Sequence, residues 1–198
     1  EGVIQALELL KQANLGKEVK LGKRIGIIGG GNAAIDAARV AVRNVNTEKT
    51  SILYRRTRRE MPAYEEEIES AIEEGIDMEF LVLPVKILTD NGKVIGVECV
   101  RMELGEEDES GRRRPIPISG SEFSLNLDTL VLAIGERPDI SFITEDDKLK
   151  ASKWETIIAN EENLSTSREG VFVGGDIFTG PSTVVEAIAA VSYTHLRA

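Results

Sequence analysis

Residues 29–34 read Gly-Gly-Gly-Asn-Ala-Ala, the spacing G-x-G-x-x-A, directly between an apolar run and an alanine-rich one. A bend of this kind suits one task, holding a diphosphate. Gly29 permits the tight turn, Gly31 lets the backbone approach a phosphate with no Cβ in the way, and Ala34 keeps the helix close to the sheet. Gly30, Asn32 and Ala33 complete a turn whose free N–H groups, at the positive end of a helix dipole, attract the anion. A bare flexible loop could carry the same glycines, and the flanking strand and helix argue against it. Further along, Tyr54 is followed by Arg55 and Arg56, then by Arg58 and Arg59. A carboxylate at this strand end would accept ribose hydroxyls and repel a 2′-phosphate. Guanidinium forks instead suit a bidentate phosphate contact. Arg55 and Arg56 are therefore the expected ligands of a 2′-phosphate, which favours NADPH over NADH. The bland alternative is surface ion pairing with the acidic segment 64–74, at about 0–1 kcal/mol per pair; it is the preferred reading for Arg58 and Arg59.

A second constellation lies at 170–176, where an apolar run ends in Gly174, Gly175 and Asp176, with Ser182 and Thr183 opening a helix shortly after. A carboxylate at a strand end can hydrogen-bond a polyol, and a helix N-terminus can stabilise negative charge on a reduced flavin ring. A simple turn with Asp176 capping the next helix is the competing reading. The chain holds one cysteine, Cys99, which excludes a disulfide framework, a Cys-x-x-Cys redox pair and a cysteine-ligated cluster within it. Cys99 reads as a small core residue. Asp36 could face cofactor, another domain or solvent, and Arg112–Arg114 read as part of a solvated loop.

The elements that must position these groups follow from periodicity. The N-terminus reads as an amphipathic helix (Val3, Ala6, Leu7, Leu10). Strands are expected at 23–28 and 51–54, with helices at 32–44 and 64–74, the second stopped by Gly75. Strand–helix–strand–helix order implies a Rossmann-like parallel sheet. From residue 78 the pattern shifts to strands at 78–82, 85–89 and 94–102, with Asp90-Asn91-Gly92-Lys93 as a hairpin turn. Residues 106–120 read as a solvated loop, 123–127 and 129–134 as strands, 139–165 as irregular, 170–173 as a buried strand and 181–190 as a helix. The expected class is thus α/β, with an antiparallel β-meander inserted into the parallel unit.

With 34 acidic against 24 basic residues the net charge is −10, which argues against general nucleic-acid binding. The apolar runs are far shorter than the roughly 20 residues of a membrane helix. No signal peptide is visible, so a reducing cytoplasm is the expected compartment.

Four segments in order carry a resemblance: Ile27–Arg39 (IIGGGNAAIDAAR), Tyr54–Ala63 (YRRTRREMPA), Ala133–Pro138 (AIGERP) and Gly170–Asp176 (GVFVGGD). Together they resemble the small (beta) subunit of NADPH-dependent glutamate synthase and its relatives, including domains of dihydropyrimidine dehydrogenase, across residues 2–190. The resemblance implies an NADPH domain inserted into an FAD domain. On that pattern 1–21 is a connecting helix, 22–138 binds NADPH, and 139–190 is the C-terminal part of the FAD domain. It further implies that Ala133 and Gly135 lie at the domain junction near the cofactors. Gly175 and Asp176 would meet the FAD ribityl chain, and Ser182, Thr183 and Val184 would offer N–H groups to the isoalloxazine. The implied reaction is hydride transfer from nicotinamide to flavin, with electrons leaving through 4Fe-4S clusters held in missing segments or a partner, and a large catalytic subunit as possible partner. Relative to this family the N-terminal FAD and iron–sulfur half is absent, and 191–198, with the only histidine His195, departs from the pattern and reads as a foreign tail. Two alternatives stay open: an NADPH-binding fragment without flavin or turnover, and a thioredoxin-reductase-like disulfide reductase whose cysteine pair lies outside this chain.

Overall fold

The computed structural model describes residues 1–108 and 111–197, with side-chain surroundings through 192. The reading of His195 concerns a side chain beyond residue 192 and so lies outside the described side chains. Two compact units divide between Ile134 and Gly135.

In the first unit the chain runs β1 (Val3–Gln5), α1 (Ala6–Asn14), β2 (Arg24–Ile28), α2 (Asn32–Val42), β3 (Lys49–Tyr54), α3 (Glu65–Glu73) and β4 (Asp77–Phe80). It continues through β5 (Val82–Asp90), β6 (Lys93–Glu107), β7 (Arg113–Pro117), β8 (Phe123–Asn126) and β9 (Thr129–Leu132). Five strands form a parallel sheet in the order β1-β9-β2-β3-β4, and β5 to β8 form the antiparallel meander. The α/β class with inserted antiparallel strands matches the expectation from sequence.

Strand alternation sorts the apolar side chains onto two cores. Ile25, Ile27, Ile52, Tyr54 and Val131 join the cluster made with α1, α2 and α3. The intervening Leu53 and Leu130 join Val82, Val97, Cys99 and Leu127 in the cluster under the meander. Full burial of a side chain such as Ile27 or Ile52 contributes about 1.5–3 kcal/mol. Ala34, Ala37, Ala38 and Ala41 of α2 are fully buried, so the helix lies close on the sheet with little side-chain entropy lost. On the other face, a Cβ at Gly26 would lie 2.5 Å from Leu127 Cδ1, so Leu127 packs directly over that strand position.

Several boundaries differ from the sequence reading, each for a tertiary reason. The N-terminal segment is first a strand, β1, because Val3–Gln5 pairs with Leu130–Leu132 of β9. The helix starts at Ala6, and Leu9 is its buried leucine while Leu7 is half exposed. The strand near Met78 belongs to the parallel sheet, not the meander: Met78 pairs with Ile52. The switch follows at Leu81, whose φ is 56°. The loop expected at 106–120 is partly a hairpin, with β6 extended to Glu107 and β7 returning along it. The Asn91-Gly92 turn is present, with φ of 48° and 77°.

The second unit holds a 3₁₀ turn (Glu145–Asp147) and two α-helices, α4 (Asp176–Thr179) and α5 (Val184–Arg197), but no named strand among the described residues. The strand expected at 170–173 is reduced to a bridge between Phe172 and Ser165, and Phe172 is half exposed. The backbone of α5 runs on through the segment 191–197 that was read as a foreign tail.

Candidate functional site

The carboxyl ends of β2, β3 and β9 are level, because Ile28 stands opposite Leu53 on one side and Leu132 on the other. The residues that follow them, Gly29, Tyr54 and Ala133, therefore share one sheet edge. Crevices at this edge of open parallel sheets are where ligands bind. Gly29 has φ 149°, and a Cβ there would lie 2.3 Å from Ala133 O. Its N–H donates to Leu53 O at 3.2 Å. Gly30 is glycine for a reason not visible in sequence: a Cβ would lie 2.4 Å from the Tyr54 ring. Gly31 is different. Its φ is −92°, which any residue adopts, and the nearest atom to a Cβ is Pro62 Cγ at 3.8 Å.

Gly31 is also the N-cap of α2, which starts without a side-chain cap. Ala34 and Ile35 donate back to Gly31 O, so Asn32 and Ala33 open the helix with N–H groups that no residue of their own turn accepts. The Asn32 carboxamide is turned away and accepts Tyr64 N–H at 3.0 Å. The loop after β3 is fastened to the turn at further points: Ala63 N–H donates to Gly30 O at 3.2 Å, and Tyr54 OH donates to Glu60 O at 2.7 Å. Burial alone would raise the Glu60 carboxyl, but the hydroxyl and N–H of Thr57 outweigh it and hold the group below its ordinary range. The basic residues are thus carried on a rigid loop.

The four arginines of that loop divide unlike the sequence reading. Arg58 pairs with Glu65 and Glu69, as expected. Arg56, expected as a phosphate ligand, is buried. Its Nη2 donates to Asp108 Oδ2 at 2.8 Å and its Nε to Arg113 O at 2.7 Å. A guanidinium held this way is not offered to a phosphate. Arg55 and Arg59 are exposed, and neither forms a side-chain hydrogen bond or ion pair among the described residues. The ion pair expected for Arg59 is thus absent among the described residues; Arg59 follows Arg55 by four positions across a 3₁₀ turn at Arg58–Glu60.

The second constellation belongs to the other unit. Gly175 has φ 72°, and Cβ atoms at Gly174 and Gly175 would lie 2.9 and 3.2 Å from the Cβ atoms of Ala190 and Ala187. These glycines let α5 pack closely. Asp176, the exposed first residue of α4, accepts Ser182 N–H at 3.2 Å through Oδ1. Thr183 N–H donates to Glu186 Oε2 at 3.2 Å, and Thr183 Oγ1 accepts Glu186 N–H, so the start of α5 is capped by its own side chains. Val184 is largely exposed, and Gly135 has φ 111° with open space around it. Asp36 sits in a shallow cleft with Leu10, Asn14, Arg39, Val40 and Arg43. Partial burial and then Glu67 raise its carboxyl.

The family model described as pyridine nucleotide-disulphide oxidoreductase matches residues 1–190. The chain belongs to that family. Among members of the pyridine nucleotide-disulphide oxidoreductases, NADPH-Fe(3+) oxidoreductase subunit beta of Geobacter sulfurreducens is 44% identical over 92% of this chain and 30% of its own length. The glutamate synthase [NADPH] small chain of Azospirillum brasilense is 38% identical over 84% of this chain and 34% of its own length. The resemblance seen in the four motifs is thus borne out, and the chain spans about a third of these relatives. In fold it is similar to thioredoxin reductase of Lactococcus lactis, with TM-score 0.71 at 18% identity, covering 99% of this chain and 56% of that one. No helix among the described residues is long and apolar enough to cross a membrane.

Proposed function

We propose that the chain binds NADPH across the level ends of β2 and β3, as the pyridine-nucleotide part of a cytoplasmic flavoprotein oxidoreductase of the glutamate synthase small-subunit type. Gly31 carries this reading. No contact within the fold requires a glycine there, which leaves clearance above the first turn of α2 for a group from outside the chain. A diphosphate fits: the N–H groups of Asn32 and Ala33 and the helix dipole would hold its charge.

On this reading the NADPH site lies in the unit Glu1–Ile134, whose sheet includes β1, and 139–190 belong to an FAD domain completed by further sequence. Arg55 and Arg59, the two guanidinium groups of this loop without a partner among the described residues, take the 2′-phosphate; Arg56 supports the loop. Ala133 borders the nucleotide in the first unit; in the second, Asp176 keeps one carboxylate oxygen for a ribityl hydroxyl. The bound cofactors supply hydride transfer from nicotinamide to flavin, and the protein's share is binding and orientation. Iron–sulfur clusters or a partner subunit outside this chain would accept the electrons. Disulfide reduction by this chain's own thiol is disfavoured, since Cys99 is buried and burial pushes its thiol up to about 11.

The test is titration of the purified chain with NADPH and with NADH. A charge-assisted hydrogen bond contributes about 1.5–3 kcal/mol. Arg55→Ala and Arg59→Ala should therefore each weaken NADPH about tenfold or more while sparing NADH. Arg58→Ala, with its guanidinium on Glu65 and Glu69, should change neither. Equal losses for both nucleotides on Arg55→Ala would refute the phosphate assignment. Visible flavin absorbance after reconstitution with FAD tests the second cofactor.

A further inference from the structure

Asp108, the partner of the loop-supporting Arg56, has no role in the reading above, yet the pair is well enclosed, with side-chain exposures of 7% and 25%. Arg56 joins three segments. Its carbonyl accepts Leu81 N–H at 3.1 Å, where the parallel sheet hands over to the meander. Its guanidinium holds Arg113 O at the start of β7 and the Asp108 carboxylate. Asp108 in turn closes the end of the β6–β7 hairpin: its N–H donates to Arg112 O at 2.8 Å, its carbonyl accepts Gly111 N–H at 2.9 Å, and Oδ1 accepts Arg112 N–H at 3.3 Å. A segment that reads as a solvated loop in sequence thus reaches back to the end of β3.

Arg56 lies one residue after Arg55 and three before Arg59. Immobilising it fixes the backbone from which both free guanidinium groups project. A structural hydrogen bond alone would be served by an uncharged acceptor, whereas an enclosed guanidinium needs a counter-charge. We infer that Asp108 is a positioning residue for the 2′-phosphate site: through Arg56 it sets where Arg55 and Arg59 stand. Selectivity for the 2′-phosphorylated nucleotide is then held partly in the meander, 52 positions from the arginine it fixes. This inference rests on the NADPH reading.

The experiment measures NADPH and NADH dissociation constants for the full chain carrying Asp108→Ala, Arg56→Ala, both together, Asp108→Asn or Asp108→Glu, with thermal melts alongside. NADPH affinity should fall about tenfold relative to NADH on Asp108→Ala, as expected for one displaced charge-assisted contact. Arg56→Ala should match it, and the double variant should be no worse than either single, the signature of a coupled pair. Asp108→Glu should recover part of the selectivity. Asp108→Asn, which preserves shape, should still lose several-fold, so the proposal stays testable if the alanine variant does not fold. A merely structural role would lower the melting temperature and leave the NADPH/NADH ratio unchanged, which overturns the inference. So does tighter NADPH binding on Asp108→Ala, because a released Arg56 would then itself be a phosphate ligand. Arg55→Ala separates the two levels of argument. If it too leaves the ratio unchanged, the NADPH reading fails; if it collapses the ratio while the Asp108 variants do not, only the positioning role fails.

Discussion

Replacing Gly31 by Ala separates folding from binding with one methyl group. The backbone there has φ −92°, and the added carbon would meet only Pro62 Cγ at 3.8 Å, an ordinary contact. Alanine is a poorer N-cap than glycine, by about 1 kcal/mol at most. It also narrows the unfolded ensemble, which returns about 0.4–1 kcal/mol. The two nearly cancel, so the melting temperature should move by less than about 4 °C for a chain of this size. Gly29→Ala is the contrast. Its Cβ would lie 2.3 Å from Ala133 O, which is backbone, at φ 149°. The left-handed side of φ costs an L-residue about 1–2 kcal/mol and overpacking about 1–3 kcal/mol more, so this variant should melt roughly 10 °C lower or fail to fold. Binding reverses the order of interest. A methyl at Gly31 holds a phosphate away from the N–H groups of α2 and removes at least one charge-assisted bond of about 1.5–3 kcal/mol. NADPH and NADH should both weaken tenfold or more, equally, because the lost contact is to the diphosphate they share. Nicotinamide fluorescence titration and a thermal melt on the same samples suffice. Unchanged NADPH affinity in a folded Gly31→Ala protein would remove the basis of the nucleotide site.

Two further outcomes follow from the surrounding chemistry. Burial alone would raise the Glu74 carboxyl, but hydrogen bonds from Arg39 and Arg43 outweigh it and hold the group below 4.5. A carboxyl depressed in the folded state contributes stability above its unfolded value and loses it as pH falls through the folded one. Glu74→Gln should therefore melt lower near neutral pH, with the gap to the parent closing as the pH drops below about 4.5; a constant gap would contradict the pairing. Cys99, with its thiol near 11, should resist a thiol reagent at mildly alkaline pH while folded and react once per chain in denaturant. Fast labelling of the native protein would show that it is not core.

The sequence told most where a residue type answers a local demand. Asn91-Gly92 had to be a tight turn, Gly75 had to end α3, and the glycine bend before α2 could be read from its flanks. It told least where the answer depends on residues far along the chain. Arg55, Arg56, Arg58 and Arg59 look alike in sequence. Only the return of the β6–β7 hairpin makes Arg56 a buried brace, and only the face of α3 carrying Glu65 and Glu69 occupies Arg58. Gly30 reads in sequence only as part of the anion-binding turn, while the Tyr54 ring packed against it is a contact that no local pattern states. The run 170–173 has strand composition, but a strand needs a ladder, and the single bridge to Ser165 does not provide one.

The order of strands has a consequence for how the protein is made. β9 lies between β1 and β2 and pairs with both, yet it is the last strand of its sheet to be synthesised. Val3 finds its partner Leu130 only after the whole meander has emerged. At translation rates of roughly 5–20 residues per second, the first strand waits on the order of 10 s for its neighbour. Through that interval Leu9 and the sheetward side of the alanine-rich helix have an incomplete floor to rest on. Nascent chains stalled before residue 129 should therefore engage holdase chaperones, and those stalled well beyond residue 132 should let go of them.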